Sequence, residues 1–260
     1  GKDIQKKIKS KNLCLAGGVA LNSVANKKLY DAANFKKMFV FPACSDAGLP
    51  FGLALWGAVN KYCKNKKFKI NFDNAYTGKN YSNLEINNLL KKFKIKSKKN
   101  EDDEVASLLS KGKIFGRLSE ASEYGPRALG NRSILADPRN VKMRDYINEK
   151  VKHREVFRPF APSVLEDEYN KHFDLKTISP YMLLVAKSKK PNIIPSAIHI
   201  DGTARVQTVS KIQNKKFYNL IKAFHKITKV PILLNTSFND AGEPLVETPL
   251  DALLCFLKTK

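Results

Sequence analysis

The sequence predicts an α/β fold. Near its start, a strand, a glycine turn and a helix are followed by a second strand, an aspartate and a second helix, which is an α/β pattern. After residue 85, helical segments alternate with short apolar runs typical of buried strands. A chain of 260 residues can bury one large core or two modest ones.

Each strand is predicted from a short apolar run, several of them ending at glycine, proline or a polar residue. In chain order these strands are 12–16, 36–41, 113–118, 180–186, 203–209 and 231–235. The helices are predicted from helical spacing and capping residues. They are 23–31, 47–62, 84–93, 102–112, 141–151, 214–229 and a last helix that begins at Thr248.

Local signals mark where several helices begin and end. Ser23 is the expected cap of the first helix, and Asp46 precedes the second. Acidic residues open the helix that begins at residue 102, and Gly112 closes it. The helix over 214–229 is amphipathic, with apolar side chains at Phe217, Leu220, Ile221 and Phe224. The last helix has an N-cap, an N1 proline and an N3 acid, which are Thr248, Pro249 and Asp251.

The chain is strongly basic, with 47 Lys and Arg against 24 Asp and Glu and a net charge of +23. Such a charge first suggests nucleic acid as a partner. The lysines, however, are mixed with asparagine through most segments and form no stripe. We therefore do not expect nucleic acid to be the partner.

The cysteines and the apolar runs bear on the cellular location. The four cysteines have no CxxC spacing, which favours buried thiols in a reducing compartment, so we expect a cytoplasmic protein. The longest apolar runs fall far short of the ~18 residues that cross a membrane, and no signal peptide is visible. Because the sequence begins without an initiator Met, we expect it to be part of a longer polypeptide.

Arginine is rare and clustered. Only eight of the 47 basic residues are arginine, and seven of these lie between Arg117 and Arg158. In a lysine-rich chain, arginine should persist where a planar fork is needed for phosphate or carboxylate. The cluster therefore predicts the chemical centre, with Arg205 as an outlier.

Residues 125–133, GPRALGNRS, crowd hydrogen-bond donors into one turn. Gly125, Pro126 and Gly130 should make the backbone rigid, while Arg127 and backbone N–H groups could hold an oxyanion. The alternative is that these arginines pair at the surface with nearby acids, which are Glu120, Glu123 and Asp137.

Two more segments carry candidate anion ligands. In KHREVFRPFAPS (152–163), Lys152 and Arg158 are six residues apart, so an extended strand would place both on one face. The alternative is two solvated cations. Arg205 is predicted within a strand, where an unpaired cation would be unfavourable. A further buried strand ends in short polar side chains, which are Asn235, Thr236, Ser237 and Asn239. These side chains suit a ligand at the end of the strand. The alternative is that the segment is a plain turn.

The N-terminal segment offers weaker signals. Gly17 and Gly18 permit close approach of the backbone to a phosphate. Asp46, at a helix start, is either a cap or a metal ligand. The histidines show no ligand spacing, and the sequence holds no complete metal site.

Seven segments resemble the O-carbamoyltransferases of the NodU/CmcH type. They run in the family's order from about residue 13 to 258, and they are LCLAGGVALNSVAN, FPACSDAG, EYGPRALGNRSILADPR, KHREVFRPFAPSV, IDGTARVQTVS, PILLNTSFN and GEPLVETP. Several are long and individually specific. Chance or a shared fold alone does not account for them.

The resemblance implies two parts. Residues 1–70 would be the C-terminal part of an actin-like-ATPase-fold domain that transfers the carbamoyl group, and 71–84 a linker. Residues 85–260 would be a YrdC-like α/β domain that makes carbamoyl-adenylate from carbamoyl phosphate and ATP. The acceptor would be a hydroxyl of a small molecule or saccharide. The missing N-terminal part of the same polypeptide would be a partner, no membrane is expected, and a homodimer stays open.

The resemblance also assigns roles to individual positions. The catalytic positions are Arg127, Lys152 and Arg158, and the positions that bind the nucleotide are Arg205, Ser237, Asn239, Gly17, Gly18 and Asn22. Asp46 matches a ligand of a divalent metal, Fe or Mg, in the full-length enzyme. The family's other ligands are histidines of an earlier motif that this sequence lacks. Pro50 and Phe51 depart from the family's usual small residues.

Two other functions stay open at this stage. One is a basic YrdC-like module for RNA binding or tRNA modification, which clustered aromatic side chains on exposed strands would favour. The other is an inactive remnant of the enzyme. The leading prediction is an ATP-dependent O-carbamoyltransferase of which this chain lacks the N-terminal half.

Overall fold

The structure is a computed structural model that describes residues 2–33, 35–61 and 72–259. Its α-helices are α1 (Lys2–Ile8), α2 (Ser23–Ala32), α3 (Leu49–Lys61), α4 (Asn83–Lys92), α5 (Asp102–Ser110), α6 (Met143–Tyr146), α7 (Tyr169–His172), α8 (Lys215–Thr228) and α9 (Pro249–Lys258). Its β-strands are β1 (Asn12–Leu15), β2 (Lys37–Val40), β3 (Phe115–Leu118), β4 (Arg132–Ala136), β5 (Ala161–Leu165), β6 (Val185–Lys187), β7 (Thr203–Arg205), β8 (Gln207–Val209) and β9 (Ile232–Ser237). The predicted α/β class is confirmed.

The largest sheet has five strands in the order β3-β4-β9-β5-β8. The first four pair antiparallel in turn, whereas β8 runs parallel to β5. Every residue of β4 and β5 is buried. Because a strand buried along its whole length is covered on both faces, helices or loops must pack on each side of this sheet.

Helix α8 packs on this sheet through the apolar side chains predicted from its spacing. Their exposed fractions are 0–2% for Phe217, Leu220, Ile221 and Phe224. Asn214 caps the helix, since its Oδ1 accepts the N–H of Phe217 at 3.0 Å. The predicted amphipathic helix is confirmed, and it forms part of the largest core cluster.

Strands β1 and β2 form a separate parallel pair. The segment around β1 and β2 nevertheless shares a core with the later part of the chain, since Ala20 and Cys44 pack in one cluster with Leu129. A buried hydrogen bond also joins them, because Asn26 Nδ2 donates to the Leu183 carbonyl at 2.9 Å. Residues near the start of the chain therefore lie against the segments that carry the arginine cluster.

The cap predicted for α2 was wrong by one residue. Asn22 is the cap, since its Oδ1 accepts the N–H groups of Val24 at 3.2 Å and Ala25 at 3.0 Å. Asn22 has extended backbone angles, so its short side chain reaches back to the open N–H groups of the first turn. Ser23 is the first helical residue, and it is free for another role.

The segment 203–209 was predicted as one strand but is divided at Val206. Strand β7 pairs with β6, while β8 joins the main sheet. Val206 is fully buried and its N–H donates to the Leu184 carbonyl at 3.2 Å. As a result Arg205 ends a strand instead of lying within one. The strand predicted over 180–186 is shortened to β6, since Met182 has a φ of 56° that interrupts extended backbone.

The sequence did not predict β4 or β5, because their arginine, serine and proline residues conceal the strand pattern. The helix predicted over 141–151 is α only in α6 and continues as a π-helical turn, Ile147–Val151. Such turns are often found at functional sites.

Helix α3 starts later than predicted, after a 3₁₀ turn over Asp46–Gly48, and exposes much of its apolar surface. Leu49, Leu53 and Trp56 are 61%, 67% and 69% exposed. Residues 62–71 lie outside the described residues. They include the last residue of the predicted helix 47–62 and the first residue of the predicted linker 71–84. In the described ranges, no helix combines the length and apolarity needed to cross a membrane.

Candidate anion-binding site

A cavity of about 450 Å³ lies where the ends of several elements meet. We call it the arginine cavity. The loop before β4, the segment before β5, the ends of β7 and β9, and the start of α2 all contribute to its wall. Its polar and charged lining residues are Ser23, Arg127, Arg154, Arg158, His199, Arg205, Asn235, Thr236 and Ser237.

Four arginines line this cavity, and no carboxylate among the described residues does. Burial, followed by the charges of Arg127 and Arg154, lowers the pKa of Arg205 to about 10. Burial also lowers the pKa of Arg127. Both guanidinium groups still carry a proton at neutral pH, so the cavity holds like charges close together. A bound anion would relieve that repulsion.

Two buried donors point to the same ligand chemistry. The Nε atoms of Arg127 and Arg205 are shielded from solvent and have no hydrogen-bond partner among the described residues. Arg127 makes one long contact, from Nη2 to the Leu21 carbonyl at 3.5 Å. Unpaired buried donors are rare and unfavourable, so these guanidinium groups are suited to an oxyanion such as phosphate.

The loop that carries Arg127 is held in place by Glu123. Its Oε1 accepts the N–H groups of Leu129 at 2.7 Å, Asn131 at 2.7 Å and Arg132 at 3.3 Å. Glu123 is only 7% exposed, and burial raises the pKa of its carboxyl group. The carboxylate therefore organises the backbone of the loop and leaves Arg127 for the cavity.

The alternative in which nearby acids neutralise the arginines of this loop at the surface is wrong for Arg127. Asp137 pairs with Arg139, with Oδ2 and Nη2 2.6 Å apart, and Glu120 pairs with Lys216 at 3.1 Å. No ion pair to Arg127 forms within the described part of the chain.

Two glycines of the predicted rigid turn adopt a backbone conformation that glycine favours. Gly125 and Gly130 have φ angles of 122° and 119°, which side chains rarely adopt. A Cβ on Gly130 would also lie 2.3 Å from Cδ1 of Phe217. The Arg127 loop is thus packed tightly on the first turn of α8.

We expect Gly130→Ala to lower the free energy of unfolding by about 2–4 kcal/mol, since it combines backbone strain with overpacking against Phe217. Gly112→Ala is the matched control. Gly112 has a φ of 85°, but no atom of a described residue lies within 4 Å of the added Cβ, so only the strain of about 1–2 kcal/mol applies. Urea unfolding of both variants measures the difference. Equal losses would show that contact with Phe217 contributes nothing.

A second cavity of about 570 Å³ adjoins the first, and we call it the lysine cavity. The two share Arg154, Arg158 and Ser237. The other residues lining the lysine cavity are Lys152, His153, Glu155, Asn239, Asp240, Ala241 and Gly242.

Lys152 joins the π-helical turn to the segment after β9. It is 3% exposed, and its Nζ donates to the carbonyls of Ser237 at 3.0 Å and Asn239 at 2.6 Å. The same ammonium lies 3.3 Å from Ser237 Oγ and 2.5 Å from Asn239 Oδ1. Burial, and next the charge of Arg154, lowers the pKa of Lys152 to about 8. Lys152 therefore holds Ser237 and Asn239 in place.

Anion binding should depend on the protonation of Lys152. Sulfate keeps its charge from about pH 6 to about pH 10, so it probes the protein alone. Below pH 8 Lys152 is charged and attracts sulfate, whereas above that pH it becomes neutral, so affinity should fall as pH rises through about 8. Calorimetry of sulfate binding across this range measures the effect.

Lys150→Met, at a neighbouring exposed lysine paired with Glu149, should keep the inflection near pH 8, and Lys152→Met should abolish it. A sulfate affinity that stays constant through pH 8 in the unmodified chain would contradict the assignment.

The predicted strand face shared by Lys152 and Arg158 does not exist. Lys152 ends the π-helical turn with a ψ of −7°, which is not extended backbone. Arg158 is 53% exposed, and its Nε binds Glu155 Oε2 at 3.1 Å. The turn between the two residues nevertheless brings both to the lysine cavity, and Arg158 also lines the arginine cavity.

The N-terminal candidates Gly17, Gly18 and Asn22 do not line the arginine cavity. Gly17 has a φ of 92°, Gly18 begins a 3₁₀ turn, and the Asn22 side chain caps α2. Ser23 and Val24, which follow them, do line the cavity. The start of α2 thus faces the arginines, and helix N-termini favour anions.

Asp46 is exposed at the start of its 3₁₀ turn and lines neither cavity. In the part of the chain that the structure describes, no group of three or more His, Cys, Asp or Glu side chains could hold a metal ion. The described residues therefore do not fit a metal centre at Asp46.

Three polar or charged residues of the arginine cavity were given no site role by the sequence, and they are Ser23, Arg154 and His199. Ser23 was predicted only as a helix cap. Arg154 belongs to the arginine cluster and follows Lys152 by two positions, so the rarity of arginine could have identified it. His199 had no spacing signal. Its Nδ1 lies 3.0 Å from Thr203 Oγ1, and burial lowers its pKa.

Comparison with known proteins places these residues in a family context. Residues 106–260 match the family described as carbamoyltransferase C-terminus, and residues 1–55 match carbamoyltransferase N-terminus. Three relatives illustrate the similarity. Nodulation protein NolO of Bradyrhizobium diazoefficiens is 41% identical over 257 residues, covering 95% of this chain and 46% of NolO.

The uncharacterized protein sll1178 of Synechocystis is 39% identical over 291 residues, covering 100% of this chain and 47% of sll1178. Nodulation protein U of Sinorhizobium fredii is 36% identical over 239 residues, covering 90% of this chain and 40% of that protein. The chain therefore spans about half the length of these relatives.

Proposed function

Because this chain belongs to the carbamoyltransferase family, we propose that its two cavities bind carbamoyl phosphate and ATP and form carbamoyl-adenylate. The observation that carries the proposal is the arginine cavity, with four guanidinium groups and no lining carboxylate among the described residues. Both substrates are polyanions, and bringing them together requires cations placed in advance.

Each lining residue has a task suited to its chemistry. Arg127 and Arg205 have buried Nε donors that no described residue accepts from, so they suit planar contacts to phosphate oxygens. Arg158 suits the phosphate of carbamoyl phosphate, which leaves when water cleaves that substrate, and Lys152 contributes its positive charge to the same cavity. Ser237 lies on the wall between the cavities. Its hydroxyl donates to Asn239 Oδ1 at 2.6 Å in this structure, and it would turn from that partner to donate a hydrogen bond to the adenylate.

The reaction releases two anionic leaving groups, phosphate and pyrophosphate. Water cleaves carbamoyl phosphate to carbamate and phosphate, and a carbamate oxygen then bonds to the α-phosphorus of ATP as pyrophosphate leaves. Fixed positive charges stabilise the departing anions. A nucleophilic side chain is not needed for this chemistry.

We further propose that the carbamoyl group passes to a hydroxyl of a small molecule or saccharide. The proposed division is a transfer part over 1–70, a linker over 71–84 and an adenylate-forming part over 85–260. The shared core near Leu129, and the start of α2 at the arginine cavity, support a direct route between the two parts. No step is assigned to a metal.

Calorimetry tests this proposal on the 260-residue chain. ATP and carbamoyl phosphate should each bind with an affinity of about millimolar or tighter. Absence of binding by both ligands at several millimolar would overturn the proposal. Binding of a short RNA, with no binding of either small ligand, would favour the RNA-binding alternative.

A further inference from the structure

A histidine–aspartate pair lies in the wall of the lysine cavity. Nδ1 of His153 is 2.8 Å from Oδ1 of Asp240, and both residues line that cavity. A carboxylate only accepts hydrogen bonds, so in the neutral ring Nδ1 carries the proton and Nε2 keeps a free lone pair. Within the described part of the chain, Nε2 binds no residue. The pair therefore offers a proton acceptor to a ligand in the cavity.

The backbone at His153 is held in an uncommon conformation. Its φ angle is 42°, which residues with a side chain seldom adopt. The N–H of Lys152 donates to the Ile147 carbonyl at 2.8 Å. The N–H of Arg154 donates to the Asn148 carbonyl at 2.9 Å. Hydrogen bonds on both sides thus fix the conformation that brings the imidazole to the cavity wall, and strained positions of this kind cluster at functional sites.

Asp240 is fixed as well. Its Oδ1 also accepts the N–H of Ala241 at 2.6 Å, and its backbone carbonyl accepts the N–H of Glu243 at 3.3 Å. Burial raises the pKa of the Asp240 carboxyl group, but the hydrogen bonds from His153 and Ala241 outweigh burial, and the pKa is lowered. Asp240 is therefore a carboxylate at neutral pH. It orients the imidazole and stabilises its protonated form.

Two other groups in the wall of this cavity are less suited to accept a proton. Oε2 of Glu155 binds Nε of Arg158 at 3.1 Å, and a carboxylate paired with a cation is a weak base. Lys152 is already protonated below about pH 8. Imidazole, in contrast, can both accept and return a proton near neutral pH. Among the described residues of this wall, His153 is therefore the group best suited to move a proton.

We propose that His153 is the general base for cleavage of carbamoyl phosphate by water, and that Asp240 is its positioning residue. Nε2 of His153 takes a proton from water as the water oxygen bonds to the carbamoyl carbon. The imidazole returns that proton to the bridging oxygen as the bond from this oxygen to carbon breaks, which releases carbamic acid and hydrogen phosphate. The carbamic acid loses its proton to solvent and becomes carbamate. This inference rests on the proposed function, since it takes carbamoyl phosphate to bind in the lysine cavity.

Phosphate release from carbamoyl phosphate by the 260-residue chain, with ATP present, tests the base directly. His153→Gln should lower kcat by at least about a hundredfold, which is the usual contribution of a general base. Its affinity for carbamoyl phosphate should stay within about threefold, because the cations of the cavity remain. His225→Gln is the matched control, since His225 lies on α8 and lines neither cavity, and it should change neither value.

Free imidazole separates proton transfer from support of the loop. His153→Gly removes the ring, and glycine readily adopts a φ of 42°, so the backbone should keep its path. Free imidazole should restore part of the lost rate of His153→Gly, because it supplies the missing base. It should leave the rate of His225→Gln unchanged.

The role of Asp240 is tested through the imidazole on which it acts. Asp240→Asn should lower kcat at least about tenfold, because an amide no longer specifies which ring nitrogen carries the proton. The double variant His153→Gln with Asp240→Asn should be no slower than His153→Gln alone, since Asp240 acts only through His153. Two residues that act separately would show losses that multiply.

A phosphate-release rate of His153→Gln within about threefold of the unmodified chain would overturn the inference and leave the proposed function standing. Losses that multiply in the double variant would also overturn it. So would absence of imidazole rescue in a His153→Gly chain that keeps its thermal midpoint. If the unmodified chain binds carbamoyl phosphate and ATP but releases no phosphate, the inference and the proposed function fail together.

Discussion

Replacing Arg127 with lysine is expected to weaken the binding of ATP and carbamoyl phosphate by at least about tenfold. The substitution keeps the positive charge but removes the planar fork, including the buried Nε that has no partner in the described structure. A lysine ammonium donates all its hydrogen bonds from one nitrogen. It is also more strongly hydrated than a guanidinium, so burying it in the cavity is less favourable. Calorimetry on the 260-residue chain measures the loss.

Arg144→Lys is the matched control for Arg127→Lys, because it makes the same change on a half-buried side chain that is paired with Asp145 and lines neither cavity. It should leave both affinities within about twofold. If Arg127→Lys also stays within about twofold, Arg127 contributes charge only, and the phosphate clamp assigned to it is wrong.

Glu123→Ala is expected to lower the free energy of unfolding by about 3–5 kcal/mol. It leaves three backbone N–H groups in the Arg127 loop without their acceptor, and each unsatisfied buried donor costs about 1–3 kcal/mol. Because these donors shape the loop, anion binding should also be lost. Urea unfolding and sulfate titration of the same variant check both effects.

Glu149→Ala is the control for Glu123→Ala. Glu149 is an exposed glutamate whose ion pair with Lys150 lies at the surface, so its loss should stay within about 0.5 kcal/mol. If Glu123→Ala is as stable as Glu149→Ala, water replaces the Glu123 carboxylate as hydrogen-bond acceptor with no loss of stability. The role assigned to Glu123 would then be wrong.

The rarity of arginine predicted the site only in part. Arg127, Arg154, Arg158 and Arg205 do line the arginine cavity. Arg132, in the same cluster, is fully buried and donates to backbone carbonyls, including those of Ser119 at 3.0 Å and Glu247 at 3.1 Å. A guanidinium suits several carbonyl groups as well as it suits phosphate, so composition could not separate the two roles.

The helices were easier to predict than the strands, for a physical reason. Helix α8 carries its signal in its own periodicity and caps, and those are local. Strand β4 is buried by contacts with β3 and β9, which lie far away in sequence, so its Arg132 and Ser133 gave no local pattern. The predicted placement of Lys152 and Arg158 on one strand face was wrong for the same reason. The segment between them forms a turn whose carbonyls accept hydrogen bonds from Asn148, and no local sequence pattern shows those contacts.

The central claim is that the two cavities form carbamoyl-adenylate, and isotope exchange between pyrophosphate and ATP tests it most directly. The 260-residue chain should move labelled pyrophosphate into ATP only when carbamoyl phosphate is present, and Arg127→Lys should greatly reduce the rate. Exchange that does not depend on carbamoyl phosphate, or its absence in a chain that binds both ligands, would contradict the claim.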